Sequence, residues 1–317
     1  MRQRFYMSTQ DLLATVTKTW EASQGSSVAV ALSGGVDSML LAEALYRLQL
    51  PFIALHVNHG WRGQESERDA VWVKKWCQEK KISFHFKKLS SKLPQTEAAG
   101  RQARLTFFAE TAGKNGISEV WLAHHADDLA ETFLLQLLRG AGPEGLSSLQ
   151  TRKSLEPLTL VRPLLPFRKT ELVSFAKAWK LEWREDASNQ SDDYLRNRVR
   201  GKLIPYLKKL TGRDPLNTLT RSAQILRDEN IYWESVLPKN LASTLNCALL
   251  RDQPVAWQRR LVRQWLLAQE VSNLSFDDVE AVRGLVITDK PAKINLSKGF
   301  FCRRRQGSLF IEKPKYP

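Results

Sequence analysis

The tightest constraint on the fold lies in the first 140 residues, where short apolar runs alternate with amphipathic segments. "SSVAVAL" (residues 26–32) is apolar and β-branched and reads as a buried strand. "DSMLLAEALYRLQ" follows with helical spacing, and "PFIALHV" (residues 51–57) is a second strand. "ESERDAVWVKKWCQEKK" reads as a helix with Val71, Val73, Trp76 and Cys77 turned inward. "SFHFKKL" (residues 83–89) alternates as a third strand. The helix "TEAAGRQARLTFFAETAGKN" has Thr96 as its N-cap and "KNG" as its stop. "EVWLA" is a fourth strand, and "DDLAETFLLQLLRG" is a helix ended by Gly140. This repetition predicts an α/β, Rossmann-like parallel sheet with helices on both faces. Ligands of such sheets bind beyond the carboxyl ends of the strands.

The second half has another texture. "GAGPEGLSSL" reads as a loop, and "RPLLPFRKTELVSFAKAWKLEW" as a connection and one more helix. After "TGRDPLN" the segments "TLTRSAQILRDENIYWESVL", "PVAWQRRLVRQWLLAQ" and "FDDVEAVRGLV" are helical, and "AKINLSKGFFCRRRQGSLFIEK" reads as a β-hairpin. A boundary is expected near residues 208–216. It gives a first domain over residues 1–210 and a smaller, mainly helical second domain over residues 211–317. Of the net charge of +15, residues 1–150 carry +2 and residues 151–317 carry +13. That asymmetry points to a polyanionic partner, with a plain basic surface as the alternative. Three scattered cysteines without a CxxC pair argue against a disulfide framework or zinc ribbon, and a reducing cytoplasm is expected. No apolar run is long enough to span a membrane.

"SGGVDS" (residues 33–38) joins the first strand to the first of these helices. Glycines let backbone approach an anion closely, and a helix start offers unpaired N–H groups. Ser33, Gly34, Gly35, Val36 and Ser38 are therefore the candidate phosphate cradle, with a plain capped turn as the alternative. No lysine follows the glycines, so this is not the Walker form. Asp37 would repel a phosphate, and a Mg²⁺ ion between them removes the conflict.

After this strand the turn resembles the pyrophosphate loop of the PP-loop ATP pyrophosphatases, which split ATP between its α- and β-phosphates. "HVNHGWRGQES", "EAAGRQARLTFF", "LAHHADDLAET" and "WREDASNQSDDYLRNRVRGKLIP", in this order, are similar to the tRNA(Ile)-lysidine synthase family. Gly100 and Leu105 depart from it, where alanine and an aromatic are usual. The resemblance implies an ATP- and Mg²⁺-dependent ligase. Its partners would be L-lysine and the isoleucine tRNA with a CAU anticodon, and it leaves room for a homodimer. The wobble cytidine would be adenylated with loss of pyrophosphate, and lysine would then displace AMP. The alternative is another PP-loop adenylating enzyme.

For the residues, helical spacing puts Asp128 and Glu131 on one face, and Asp127 and Glu131 are four apart. With Asp37 they are candidates for a carboxylate cluster. Asp37 and Asp128 are the expected metal ligands, and Asp128 and Glu131 the expected neighbourhood of the lysine amine. The two adjacent histidines would project about 100° apart if helical. The family helix favours Arg104 over Arg101 as the cation for the leaving group. His59 is expected at the nucleotide. Asp127, Arg196, Asn197 and Arg200 are expected at the tRNA or substrate, with Arg196 and Arg200 on one face. In the second domain Arg259, Arg260, Arg263 and the "RRR" of the hairpin are phosphate-contact candidates, and Trp257, Trp265 and Phe300 are either base-stacking or core residues.

Overall fold

The computed structural model describes residues 7–58, 60, 64–90, 93–94, 96–147, 149–184, 195–287 and 292–313. The chain divides into two compact units, Met1–Asn230 and Ile231–Pro317.

The first unit is built on a six-stranded sheet. Its strands are β1 (Val28–Ala31), β2 (Phe52–Asn58), β3 (Phe84–Lys88), β4 (Glu119–Trp121), β5 (Arg152–Leu155) and β6 (Leu158–Val161), in the order β3-β2-β1-β4-β6-β5. All neighbours are parallel except β5, which runs antiparallel along the edge. The helices are α1 (Thr9–Glu21), α2 (Val36–Arg47), α3 (Gln64–Glu79), α4 (Glu97–Lys114), α5 (Ala126–Leu138), α6 (Pro143–Leu146), α7 (Lys169–Ala178), α8 (Leu195–Arg198), α9 (Ile204–Thr211) and α10 (Pro215–Val236), whose residues from Ile231 on belong to the second unit. A wider π-turn, Val199–Leu203, joins α8 to α9. Strand periodicity sorts the core. Val28 and Val30 pack with Leu12 and Val16 of α1, Leu41 of α2 and Phe175 of α7. Ala29 between them packs on the other face with Phe107 and Phe108 of α4.

The chain leaves β1 for β2 and β3 on one side, then returns to β4 on the other. The strand order reverses between β1 and β4, which is where such sheets open a crevice for ligands. The turns after these two strands carry "SGGVDS" and "HHADD".

Four local readings change. Val71 is exposed while Val73, Trp76 and Cys77 are buried. Residues two apart on a helix differ by about 200°, so Val71 and Val73 cannot share a face. Helix α1 lies ahead of the first predicted strand, where no element is expected; Ser8 and Asp11 cap it reciprocally, and Leu12 and Val16, four apart, are wholly buried. The segment after "GAGPEGLSSL" holds the β5–β6 hairpin, unseen because edge strand β5 is mostly polar, "RKSL". That loop itself contains α6, which starts on Pro143.

The second unit has its own antiparallel sheet, β7 (Thr244–Asn246), β8 (Ala292–Asn295), β9 (Phe301–Arg305) and β10 (Ser308–Glu312), in the order β7-β10-β9-β8. The expected hairpin is thus a three-stranded meander with β7 added to its edge. Its helices are α11 (Cys247–Arg251), α12 (Val255–Ala268) and α13 (Phe276–Ile287). Trp265 is fully buried and donates Nε1–H to the Ala242 carbonyl at 3.1 Å. Trp257 and Phe300 pack on the same core. The core reading holds for all three. Along β9, Arg303 and Arg305 face outward and Arg304 inward. Arg259 pairs with Glu280 at 2.7 Å, and Arg260 lies over the Trp233 ring at 5.1 Å. No helix among the described residues is long and apolar enough to cross a membrane.

Candidate active site

The turn after β1 is held by its own hydroxyls. Ser38 Oγ accepts from the Ser33 N–H at 3.1 Å and donates to the Gly35 carbonyl at 3.0 Å. Ser33 Oγ lies 3.0 Å from Ser38 Oγ and accepts from the Gly35 N–H at 3.3 Å. Gly34 sits at φ +95°, and a Cβ there would meet Val73 Cγ2 at 3.2 Å. Gly35 is extended (φ −74°) and caps α2, so only Gly34 needs to be glycine for its backbone angle. The first N–H groups of α2, beginning at Val36, have no carbonyl one turn earlier to bind, which suits an anion.

Asp37, in the first turn of α2, receives the Lys169 ammonium on both oxygens at 2.8 and 2.7 Å. Lys169 was missed by sequence reading. Its signal was a cation in the first turn of α7, where the helix dipole disfavours one. His125 is not helical: it is the extended N-cap of α5. Its Nε2 lies 3.7 Å from Asp37 Oδ2 and 3.5 Å from Asp128 Oδ2, so this imidazole stands between the two motifs.

Asp128 and Glu131 do share a face, and two arginines close it. Arg196 donates to Glu131 Oε2 and to Asp128 Oδ1, each at 3.0 Å. Arg200 donates to Glu131 Oε1 at 2.5 Å and Oε2 at 2.9 Å. Arg196 and Arg200 share a face as their spacing predicts, and Asn197 lies half-buried between them in sequence. Burial alone would raise the Asp128 carboxyl, yet it is held below the ordinary aspartate value by His125, Arg196 and the His125 N–H. Burial likewise opposes the Arg200 charge, and Glu131, Asp128 and Asp37 outweigh it, so that guanidinium is raised.

Asp127 points into a different network, so Asp127 and Glu131 are not partners. It accepts from Arg168 Nε at 2.9 Å and from the Lys169 N–H at 3.0 Å. Arg168 also donates to Asp214 Oδ2 at 2.9 Å and Asn217 Oδ1 at 3.1 Å, tying the starts of α5 and α7 to that of α10. Arg104 is half-buried on α4, and its charge reaches His124. Arg101 acts instead on Lys153 and Arg162. His59 and the "EDASN" stretch lie outside the described residues.

Among the described residues no three His, Cys, Asp or Glu side chains gather as a metal site of their own. A Mg²⁺ ion carried by nucleotide phosphates needs only one or two carboxylates. Asp37 fits that role, since a single flexible lysine side chain holds its oxygens. Asp128 fits it less well, because Arg196 takes Oδ1 and the His125 N–H takes Oδ2.

A PP-loop domain family matches residues 7–207, and a TilS substrate binding domain family matches residues 245–310. The chain is 35% identical to the tRNA(Ile)-lysidine synthase of Thermosynechococcus vestitus, over 83% of this chain and 79% of that protein. It is 34% identical to that of Synechocystis sp., over 83% and 84%. It is 36% identical to that of Geobacter sulfurreducens, over 84% of this chain and 61% of that protein. Among solved structures, the U34-tRNA thiolase NcsA from Methanococcus maripaludis matches with a TM-score of 0.56 at 19% identity. The match covers 69% of this chain and 78% of that one, and shows the shared fold.

Proposed function

The chain belongs to the tRNA(Ile)-lysidine synthase family, and on that premise we propose how its residues divide the work. It is an ATP-using ligase that forms a carbon–nitrogen bond. In this reading it joins lysine to carbon 2 of the wobble cytidine of the CAU-anticodon isoleucine tRNA. The observation that carries it is the meeting of Asp37 with Asp128, Glu131, Arg196 and Arg200 around His125.

The backbone of residues 33–38 binds the β- and γ-phosphates of ATP at the start of α2. A Mg²⁺ ion held by Asp37 would neutralise phosphate charge. The cytidine O2 attacks the α-phosphate, the α–β bridge breaks and pyrophosphate leaves. Arg104 offers a guanidinium to the charge that develops. The lysine amine then attacks carbon 2 and AMP leaves with the former O2. Asp128 and Glu131 hold the incoming ammonium and accept its proton. Arg196 and Arg200 now occupy those carboxylates, so in this reading substrate entry requires them to yield, and a tRNA phosphate is what they turn to. The C-terminal domain, residues 211–317 in this assignment, holds the tRNA through its basic surface. A thiolation chemistry is disfavoured because Cys77, Cys247 and Cys302 are all buried.

The test is pyrophosphate release from ATP with isoleucine or methionine tRNA, each with and without lysine. The expected result is release only with the isoleucine tRNA, and a lysidine nucleoside only when lysine is added. Pyrophosphate release without tRNA, or a product requiring another amino acid, would overturn the reading.

A further inference from the structure

We infer that Arg162 is a positioning residue that fixes His124 as a neutral imidazole, with its proton on Nε2, as a hydrogen-bond donor beside the reacting groups. Arg162 follows β6, and His124 lies between β4 and α5, so adjacent parallel strands deliver them to one end of the sheet. Arg162 Nε lies 3.2 Å from His124 Nδ1. A guanidinium can only donate, so Nδ1 must accept, and a neutral imidazole then carries its single proton on Nε2. A second hydrogen bond, from Arg162 Nη1 to the Gln150 carbonyl at 2.6 Å, fixes the guanidinium plane.

The burial of Arg162 makes this arrangement unusual. It is 2% exposed, and its described hydrogen bonds go to an imidazole and a carbonyl rather than to a carboxylate. A buried cation without an anionic partner is costly, so a merely structural position would be better filled by an apolar side chain. Burial and the nearby Arg101 lower its pKa only to about 10, so it keeps its charge at neutral pH.

The charged groups facing His124 come from four elements: Asp128 of α5, Arg162 after β6, Arg196 of α8 and Arg104 of α4. Desolvation and the three guanidiniums outweigh Asp128 and push the imidazole down to about 3. An imidazolium here would compete with an incoming ammonium for Asp128. A neutral imidazole leaves that carboxylate available and still supplies one N–H. What it donates to, the cytidine carbonyl or a phosphoryl oxygen, rests on the function proposed above; the tautomer does not.

The experiment uses the whole protein with ¹⁵N-labelled histidine, the His124 signals being assigned by their loss in His124→Gln. The expected spectrum shows a protonated Nε2 and an unprotonated Nδ1, unchanged between about pH 6 and pH 8, the range where a free imidazole titrates. A proton on Nδ1, or a doubly protonated ring near pH 7, overturns the inference without any reference to activity. Arg162→Met is expected to release the tautomer and to lower the turnover of lysidine formation by roughly tenfold or more, with the KM for ATP little changed. Arg162→Lys, which can still donate to Nδ1, is expected to recover part of both. Wild-type turnover and tautomer in folded Arg162→Met would equally overturn it. If wild-type protein shows the expected spectrum but forms no lysidine with the isoleucine tRNA, the proposed function fails and the tautomer assignment stands.

Discussion

The turn after β1 and the start of α5 lie at the same switch point of the sheet, yet they hold charge in different ways. The turn is assembled from backbone and two hydroxyls, with one acid, Asp37, held by a single lysine from α7. The α5 side is a closed network in which Arg196 and Arg200 hold Asp128 Oδ1 and both Glu131 oxygens, and the His125 N–H holds Asp128 Oδ2. Among the described residues, the only side chain that pairs with the turn's acid from another helix at hydrogen-bond distance is Lys169, a flexible one. A cation can reach Asp128 and Glu131 only after an arginine has moved. In the function proposed above, the difference separates a site ready for nucleotide from one that opens when a second substrate arrives.

Breaking the closed network has the largest expected effect. Glu131 is almost wholly buried and serves both arginines. Glu131→Gln leaves two guanidiniums short of a counter-charge, and the loss of stability should be about 3 kcal/mol or more, readable by chemical denaturation. Unchanged stability would mean that the arginines do not depend on Glu131.

Next in size is the turn. Gly34→Ala forces a residue with a Cβ into φ +95°, against Val73, at a cost of about 1–3 kcal/mol. It should also abolish measurable pyrophosphate release. Gly35→Ala is the sharper half of the comparison: its backbone is ordinary, and its Cβ would lie 3.5 Å from Ser33 Oγ. Stability should stay within about 0.5 kcal/mol of wild type, so any loss of ATP binding reports contact with the ligand alone. Equal destabilisation by both substitutions would contradict the assigned backbone.

The smallest effect is expected at Lys169, which is partly exposed. Lys169→Ala removes a surface-facing ion pair worth at most about 1 kcal/mol. Its signature should be a KM for ATP raised roughly tenfold with turnover less affected, as for a group that binds phosphate in ground and transition states alike. A fall in turnover at constant KM would place Lys169 in the chemical step instead.

The alternation of apolar runs identified the parallel strands and the helices between them, because strands buried on both faces must be continuously apolar. It failed at β5, which is half solvent-facing and polar, and at α1, whose two inward residues are too few to register as a stripe. Within the site, Asp128, Glu131, Arg196 and Arg200 were legible as faces of helices, because spacing of three or four residues is a local property. Their pairing with one another was not, since α5 and α8 are brought together only by the sheet. Asp127 shows the limit most plainly. It neighbours Asp128 in sequence, yet about 100° of helical rotation sends it to Arg168 and the start of α7.

By itself, then, the sequence determined the strand–turn–helix at Ser33–Ser38, the shared face of Asp128 and Glu131, and the family. These depend on backbone conformation and on short-range periodicity, which a few adjacent residues specify. Only the tertiary structure decided that Lys169 meets Asp37, that His125 stands between the two acidic motifs, and that Arg162 reaches His124. Those contacts join residues 132, 88 and 38 positions apart. What brings them together is the reversal of strand order at β1 and β4, which gathers the carboxyl ends of separate strands into one crevice.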